Sequence, residues 1–146
     1  MKILVLNGPN LGLLGTREPE IYGRETLEEM MEALRQDSEA LGVELMTVQT
    51  DSEGEIVNAI GKAKWYADGI ILNPAAYTHT SVAIHDAIKG CMLPTVEVHL
   101  SNVYAREGYR HESLTAGVCV GQICGFGSLG YRLALEALVS RIGGGS

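Results

Sequence analysis

The sequence predicts a doubly wound α/β fold, three layers deep (α/β/α), around a five-stranded parallel sheet. Two observations carry this. Short apolar runs alternate with stretches of helical periodicity along the whole chain, and nothing in it resembles an internal repeat. Strands separated by helices pair in parallel through right-handed crossovers. Five such strands suggest the flavodoxin-like order, in which ligands sit beyond the C-terminal ends of the strands.

Each element has its own signal. Residues 2–7 hold the apolar run Ile3 to Leu6 and end in Asn7-Gly8-Pro9, as expected of a strand buried on both faces. Thr26 with Glu29 three residues later is a capping-box pattern that opens a helix. Leu27, Met30, Met31, Leu34 and Leu41 share one face of it, and Glu28, Glu32, Arg35 and Glu39 the other, until Gly42 ends it. Val43 to Val48 reads as the second strand. Ser52 and Glu55 form another capping-box pattern, opening a helix through Ile56, Ile60 and Ala63. Gly69 to Asn73 is the third strand, and Thr80 or Ser81 caps a helix reaching about Lys89. Thr95 to Leu100 is the fourth strand, Ala116 to Ile123 the fifth, and a last helix runs from about Gly127 to Arg141.

The chain's 146 residues amount to one domain, taken as 1–142, with Gly143 to Ser146 read as a flexible tail. Hydrophobic residues make up 46% and charged residues 20%, which excludes a disordered chain. Eleven basic residues against eighteen acidic ones give a net charge of -7. That balance argues against nucleic acid or an anionic membrane as the main partner, yet allows a small anionic substrate in a cleft with a few arginines. No apolar run approaches the roughly 20 residues needed to cross a bilayer, and the N-terminus does not read as a signal peptide. Three cysteines without a C-x-x-C pair argue against a disulfide framework or a zinc site and for a reducing, cytoplasmic location. The four histidines show no metal-binding spacing, and the serine-hydrolase elbow G-x-S-x-G is absent.

The residues able to do chemistry gather at the predicted C-terminal strand ends: Asn7 and Asn10 after the first strand, Asn73, Tyr77 and His79 after the third. Glu97, His99, Ser101 and Asn102 follow the fourth, with Arg106 and Arg110 next. Glu97 and His99, two apart on a strand, share a face, so the carboxylate can orient the imidazole and favour its protonated form. A structural strand-end histidine is the competing reading. Asn73 to Ser81 is a polar loop running into a helix N-terminus, where exposed N–H groups favour anions and oxygen-rich ligands. Capping explains Thr80 or Ser81 but not Asn73 or His79. Asp86, further along that helix, can face inward as an acceptor, with His85 beside it at the surface. Arg106 and Arg110 are four apart and fall on one side if their segment is a single helical turn; a planar guanidinium suits a substrate carboxylate.

The stretch from Gly8 to Glu25 has no periodicity and far exceeds the roughly 4–6 residues of an ordinary connection, so a lid or binding loop is one reading of it. It carries Arg17 and Tyr22 between glycines; loop length alone leaves open a Tyr22 that packs on the surface and an Arg17 in solvent. Gly8, Gly12 and Gly15 match neither G-x-G-x-x-G nor a P-loop, which leaves a flavin- or nucleotide-binding module as a weaker alternative. A non-catalytic assembly protein would give no reason for so many polar residues on one rim.

Together the motifs resemble the type II 3-dehydroquinate dehydratases of the shikimate and quinate pathways, over nearly the whole chain. The resemblance rests on Asn7-Gly8-Pro9-Asn10-Leu11, on the run from Leu14 through Thr16, Arg17 and Tyr22 to Gly23, and on Tyr77 to Ala83. Glu97 to Val103 and Gly130 to Leu135 complete it. It implies loss of water from 3-dehydroquinate to give 3-dehydroshikimate through an enolate, a hydro-lyase reaction with no cofactor, metal or Schiff base. It implies Tyr22 as the base, with Arg17 beside it on a closing lid, and His99 as the acid, oriented by Glu97. Asn10 would hold a water at the enolate oxygen. Asn73, His79, Asp86, Arg110, Leu100 and Ser101 would bind or position substrate, and Arg106 would reach the lid or the site edge. It also implies a homododecamer built from trimers. Two positions depart from the common pattern: Gly12, where many members have asparagine, and His85, where arginine is common.

Overall fold

The computed structural model describes residues 1–16, 20 and 23–144. The expectations for Arg17 and Tyr22 lie outside the described residues. Five strands, β1 (Lys2–Asn7), β2 (Glu44–Gln49), β3 (Gly69–Asn73), β4 (Thr95–His99) and β5 (Gly121–Cys124), form one parallel sheet in the order β2-β1-β3-β4-β5. Among the described residues four α-helices connect or follow them: α1 (Leu27–Ala40), α2 (Glu53–Ala63), α3 (Val82–Cys91) and α4 (Leu129–Gly144).

Side chains alternate across a strand, and the two cores follow that alternation. Ile3 and Val5 of β1, with Ile71, Val96 and Val98, pack against Met30, Met31 and Leu34 of α1 and Tyr131, Ala134, Leu135 and Leu138 of α4. Leu4, Leu6, Ile70 and Leu72 face the other way, onto Ile56 and Ile60 of α2 and Ile84, Ile88 and Cys91 of α3. Both faces being covered explains the unbroken apolar runs of β1 and β3. Each fully buried Leu or Ile stabilises by roughly 1.5–3 kcal/mol relative to exposure, so an apolar residue on either face contributes.

The helix starts are built as their sequences imply. Thr26 Oγ1 accepts from the Glu29 N–H and the Glu29 carboxylate accepts from the Thr26 N–H, a complete capping box. Gly42, at φ +70°, takes the left-handed position after α1. Ser81, not Thr80, caps α3 by accepting from the Ile84 N–H at 2.9 Å.

Several expectations need correction. The box at Ser52 is half formed: Ser52 accepts from the Glu55 N–H, but Glu55 Oε2 is taken by the Thr50 hydroxyl at 2.6 Å. β2 begins one residue later than expected. β5 starts at Gly121; Ala116–Val118 is instead a 3-10 turn, whose preceding residues are turned inward to hydrogen-bond β4. Helix α4 spans Leu129–Gly144 and so runs past Arg141, the end expected from sequence.

Candidate active site

A cavity of about 220 Å³ opens beyond the C-terminal ends of β1, β3 and β4. Its walls come from four segments: Asn10, Leu11, Leu13 and Leu14 after β1; Asn73 at the end of β3 and His79 after it; His99, Leu100 and Ser101 at the end of β4; and Arg106 and Arg110 beyond it. Eight of the residues singled out in the sequence therefore meet around one space: Asn10, Asn73, His79, His99, Leu100, Ser101, Arg106 and Arg110.

The chemical centre of this wall is the pair at the end of β4. His99 Nε2 lies 2.8 Å from Glu97 Oε2, with Glu97 fully buried and His99 6% exposed. Burial on its own raises the Glu97 pKa. The hydrogen bond and charge of His99, with donors from Thr115 and Gln122, outweigh that and bring it down to about 2. An ionised carboxylate only accepts, so Nε2 carries the proton. The other ring nitrogen, Nδ1, has no hydrogen bond among the described residues and belongs to a ring that borders the cavity.

The floor is an amide network. Asn73 Oδ1 accepts from the Ala75 N–H at 3.2 Å, and Asn73 Nδ2 donates to the Tyr131 hydroxyl at 3.1 Å. Tyr131 in turn donates to Asn7 Oδ1 at 2.5 Å. Burial pushes the Tyr131 phenol well above its ordinary value, against the opposing hydrogen bond of Asn73, so it stays neutral and able to donate. These bonds orient the Asn73 amide and leave one of its N–H groups for a ligand. Gly8 is required here: a Cβ at that position would sit 2.9 Å from the Pro74 carbonyl oxygen. Asn10 is held in the left-handed region, φ +68°, while its N–H donates to Asp51 Oδ1 at 3.0 Å.

The rim is cationic. Glu107 Oε2 accepts from Arg110 Nε at 2.8 Å and lies 3.9 Å from Arg106 Nε, so two guanidiniums share one carboxylate. The arginines are not on a single helical turn. Val103–Ala105 and Gly108–Arg110 are separate 3-10 turns, with Arg106 extended between them, and this kink brings both side chains to the cavity. His79 Nδ1 donates to the Glu112 carbonyl at 2.7 Å, because a carbonyl can only accept; its Nε2 is left as the second ring nitrogen. Asp86 is a correction. It does not face inward: its side chain is 69% exposed, paired with His85 at 2.8 Å, and does not border the cavity.

Among the described residues, nothing at the start of α1 resembles a phosphate cradle. The start of α1 carries Glu28 and Glu29; the Glu29 carboxylate takes the Thr26 N–H and the Thr26 hydroxyl takes the Glu29 N–H, two of the groups an anion would need. Among the described residues no cluster of three or more His, Cys, Asp or Glu is arranged to hold a metal, and no helix is long and apolar enough to cross a membrane.

The family described as dehydroquinase class II matches residues 1–139. The chain belongs to that family. A 3-dehydroquinate dehydratase of Clostridium perfringens is 52% identical over 143 residues, covering 97% of this chain and 99% of its own. One from Geotalea daltonii is 56% identical over 142 residues, covering 97% and 99%. The crystal structure of the type II dehydroquinase from Butyrivibrio crossotus superposes with a TM-score of 0.93 at 45% identity, covering 94% of this chain and 97% of the other. Membership makes the chain an enzyme, a hydro-lyase.

Within this dehydroquinase scaffold, sequence reasoning passed over several residues that build the site. Tyr131 stands behind Asn73 and ties it to Asn7, which the sequence places on the rim. Glu107 stands between the arginines. Thr78, Ser113, Thr115 and Gln122 surround Glu97. Only Gln122 had a usable signal: it sits on the strand beside β4, in register with Glu97. The hydroxyls come from turns, whose fold periodicity does not reveal.

Proposed function

We propose that the chain eliminates water from 3-dehydroquinate to give 3-dehydroshikimate through an enolate, with Tyr22 as base and His99 as acid. The observation that carries this reading is His99 held against an ionised, fully buried Glu97 at the wall of a cavity rimmed by two guanidiniums. The imidazole is oriented to lend a proton, and the rim suits a substrate carboxylate.

In this mechanism Tyr22 takes the proton beside the ketone, and the electron pair moves onto the carbonyl oxygen as an enolate. Asn10, with a water, stabilises that oxygen. The enolate then re-forms the carbonyl, expels the hydroxyl, and His99 protonates it as it leaves. A free tyrosine has a pKa of about 10, and lowering it by two units requires roughly 2.7 kcal/mol of preferential phenolate stabilisation. Arg17 supplies charge of the right sign for that. Support for the lid role of this loop comes from its described start, where Leu11, Leu13 and Leu14 already border the cavity.

Asn73, His79, Leu100, Ser101 and Arg110 bind the hydroxyls and carboxylate, with Arg106 at the site edge. Asp86, being outside the cavity of its own chain, meets substrate only from a neighbouring copy, as the proposed homododecamer of trimers would allow. The reading places the enzyme in the cytoplasm, in shikimate or quinate metabolism.

The test is to add 3-dehydroquinate to the purified protein and follow the ultraviolet absorbance of the conjugated enone. Absorbance that grows in proportion to enzyme supports the reading. No enone above the uncatalysed rate overturns it.

A further inference from the structure

We propose that Thr115 and Gln122, neither of which borders the cavity, are positioning residues for the elimination: with Thr78 and Ser113 they hold the Glu97 carboxylate as the anion that keeps His99 aimed and protonated on Nε2. The proposal rests on the reading of His99 as acid.

A carboxylate at zero exposure is costly unless its lone pairs are met. Glu97 Oε2 is met by Gln122 Nε2 at 2.7 Å, His99 Nε2 at 2.8 Å, Ser113 Oγ at 2.9 Å and Thr78 Oγ1 at 3.0 Å. Oε1 is met by the Thr115 hydroxyl, its one hydrogen-bond donor among the described residues. The donors arrive from three other parts of the fold: the turn after β3, the segment before β5, and β5 itself.

Proton counting gives the cluster a direction. Ser113 Oγ accepts from the Thr115 and Ala116 N–H groups, at 3.2 and 3.0 Å, which fills its two lone pairs. Its own hydrogen must therefore leave toward Glu97, toward Thr78 at 2.6 Å, or toward Thr115 at 3.2 Å. When Thr78 receives it, Thr78 passes its own hydrogen to Glu97 or to Thr115, and Thr115 donates in turn to Glu97 Oε1. Every arrangement ends on the carboxylate, through Thr115 at least, and none withdraws a proton from it. These donors stabilise the anionic form of Glu97, and the proton shared with His99 stays on the ring.

The titratable groups facing Glu97 are few. His99 lies on the same strand. Cys119 follows the 3-10 turn, and its thiol is pushed up to about 12, by burial first and then by the Glu97 charge, so it stays neutral. Cys91, on α3, acts on Cys119. On the flanking strands the register partners are Leu72 and Gln122, neither of them ionisable.

Thr115→Val keeps the shape and removes the hydroxyl; Thr115→Ser keeps the hydroxyl; Gln122→Leu removes the amide. The expected result for Thr115→Val is a fall in kcat of about tenfold or more with KM within about twofold, and an acid limb of the kcat–pH profile moved to higher pH. The sign follows from the donors: without them the carboxylate protonates more readily, so the working anion is lost at a higher pH. Thr115→Ser restores both readouts, and Gln122→Leu moves the limb the same way. A lower melting temperature with an unmoved acid limb and kcat, or a loss that Thr115→Ser does not restore, overturns the proposal. Carboxyl 13C titration of Glu97 in the unliganded wild type and in Gln122→Leu decides the matter without turnover. An unchanged midpoint overturns the cradle, whereas absent enone formation by the wild type counts against the proposed reaction alone.

Discussion

Asn7 and Asn73 are register partners on β1 and β3, and the Tyr131 hydroxyl ties their side chains together from the α4 side of the sheet. A helix residue more than fifty positions away thereby sets which atoms of Asn73 face the cavity. Tyr131→Phe keeps the ring and removes the link, leaving one buried amide oxygen and one buried amide N–H without a partner. The expected cost is about 1–3 kcal/mol of stability. KM for 3-dehydroquinate rises several-fold while kcat falls less, because Asn73 is loosened rather than removed. Denaturant unfolding and steady-state kinetics on one preparation check both.

The depressed Glu97 pKa makes stability depend on pH in a definite window. Its folded value, about 2, lies below the ordinary 4.5, so the contribution is present above about pH 4.5 and is lost as pH falls toward 2. Glu97→Gln abolishes this part of the dependence. Unfolding free energy measured from pH 3 to 7 should decline toward acid more steeply in the wild type than in the variant, and parallel curves would contradict it.

The cationic rim predicts a binding defect. Arg110→Ala removes the guanidinium nearest Glu107 and should raise KM by about 10- to 100-fold with a smaller change in kcat, since a charge-assisted pair contributes roughly 1.5–3 kcal/mol. Raising ionic strength should weaken substrate binding in the wild type more than in the variant. Equal salt dependence would place the substrate carboxylate elsewhere.

Arg17→Ala should move the limb of the pH–rate profile that reports the base to higher pH, because the phenolate loses a stabilising charge. A profile of unchanged shape would restrict Arg17 to packing.

Much of the fold was legible because its signals are local. The apolar runs of β1 and β3 and the capping box at Thr26 each follow from a few adjacent residues. The Glu97–His99 pair was legible for the same reason, since a spacing of two on a strand puts side chains on one face. What was not legible depends on distant contacts. The turn at Ala116–Val118 replaces strand because Ser113 and Thr115 are drawn to Glu97, which no window of sequence around them contains. The orientation of Asp86, exposed and paired with His85, was not legible because periodicity alone could not say which side of α3 met the cavity.

The central claim is a division of labour, with Tyr22 removing a proton before His99 supplies one. It is tested most directly by proton exchange in deuterated water, comparing His99→Ala with Tyr22→Phe on 3-dehydroquinate. His99→Ala should still exchange the hydrogen beside the ketone, above the uncatalysed rate, while forming enone far more slowly than it exchanges. Tyr22→Phe should do neither. Exchange that persists in Tyr22→Phe, or disappears in His99→Ala, would contradict the assignment of base and acid.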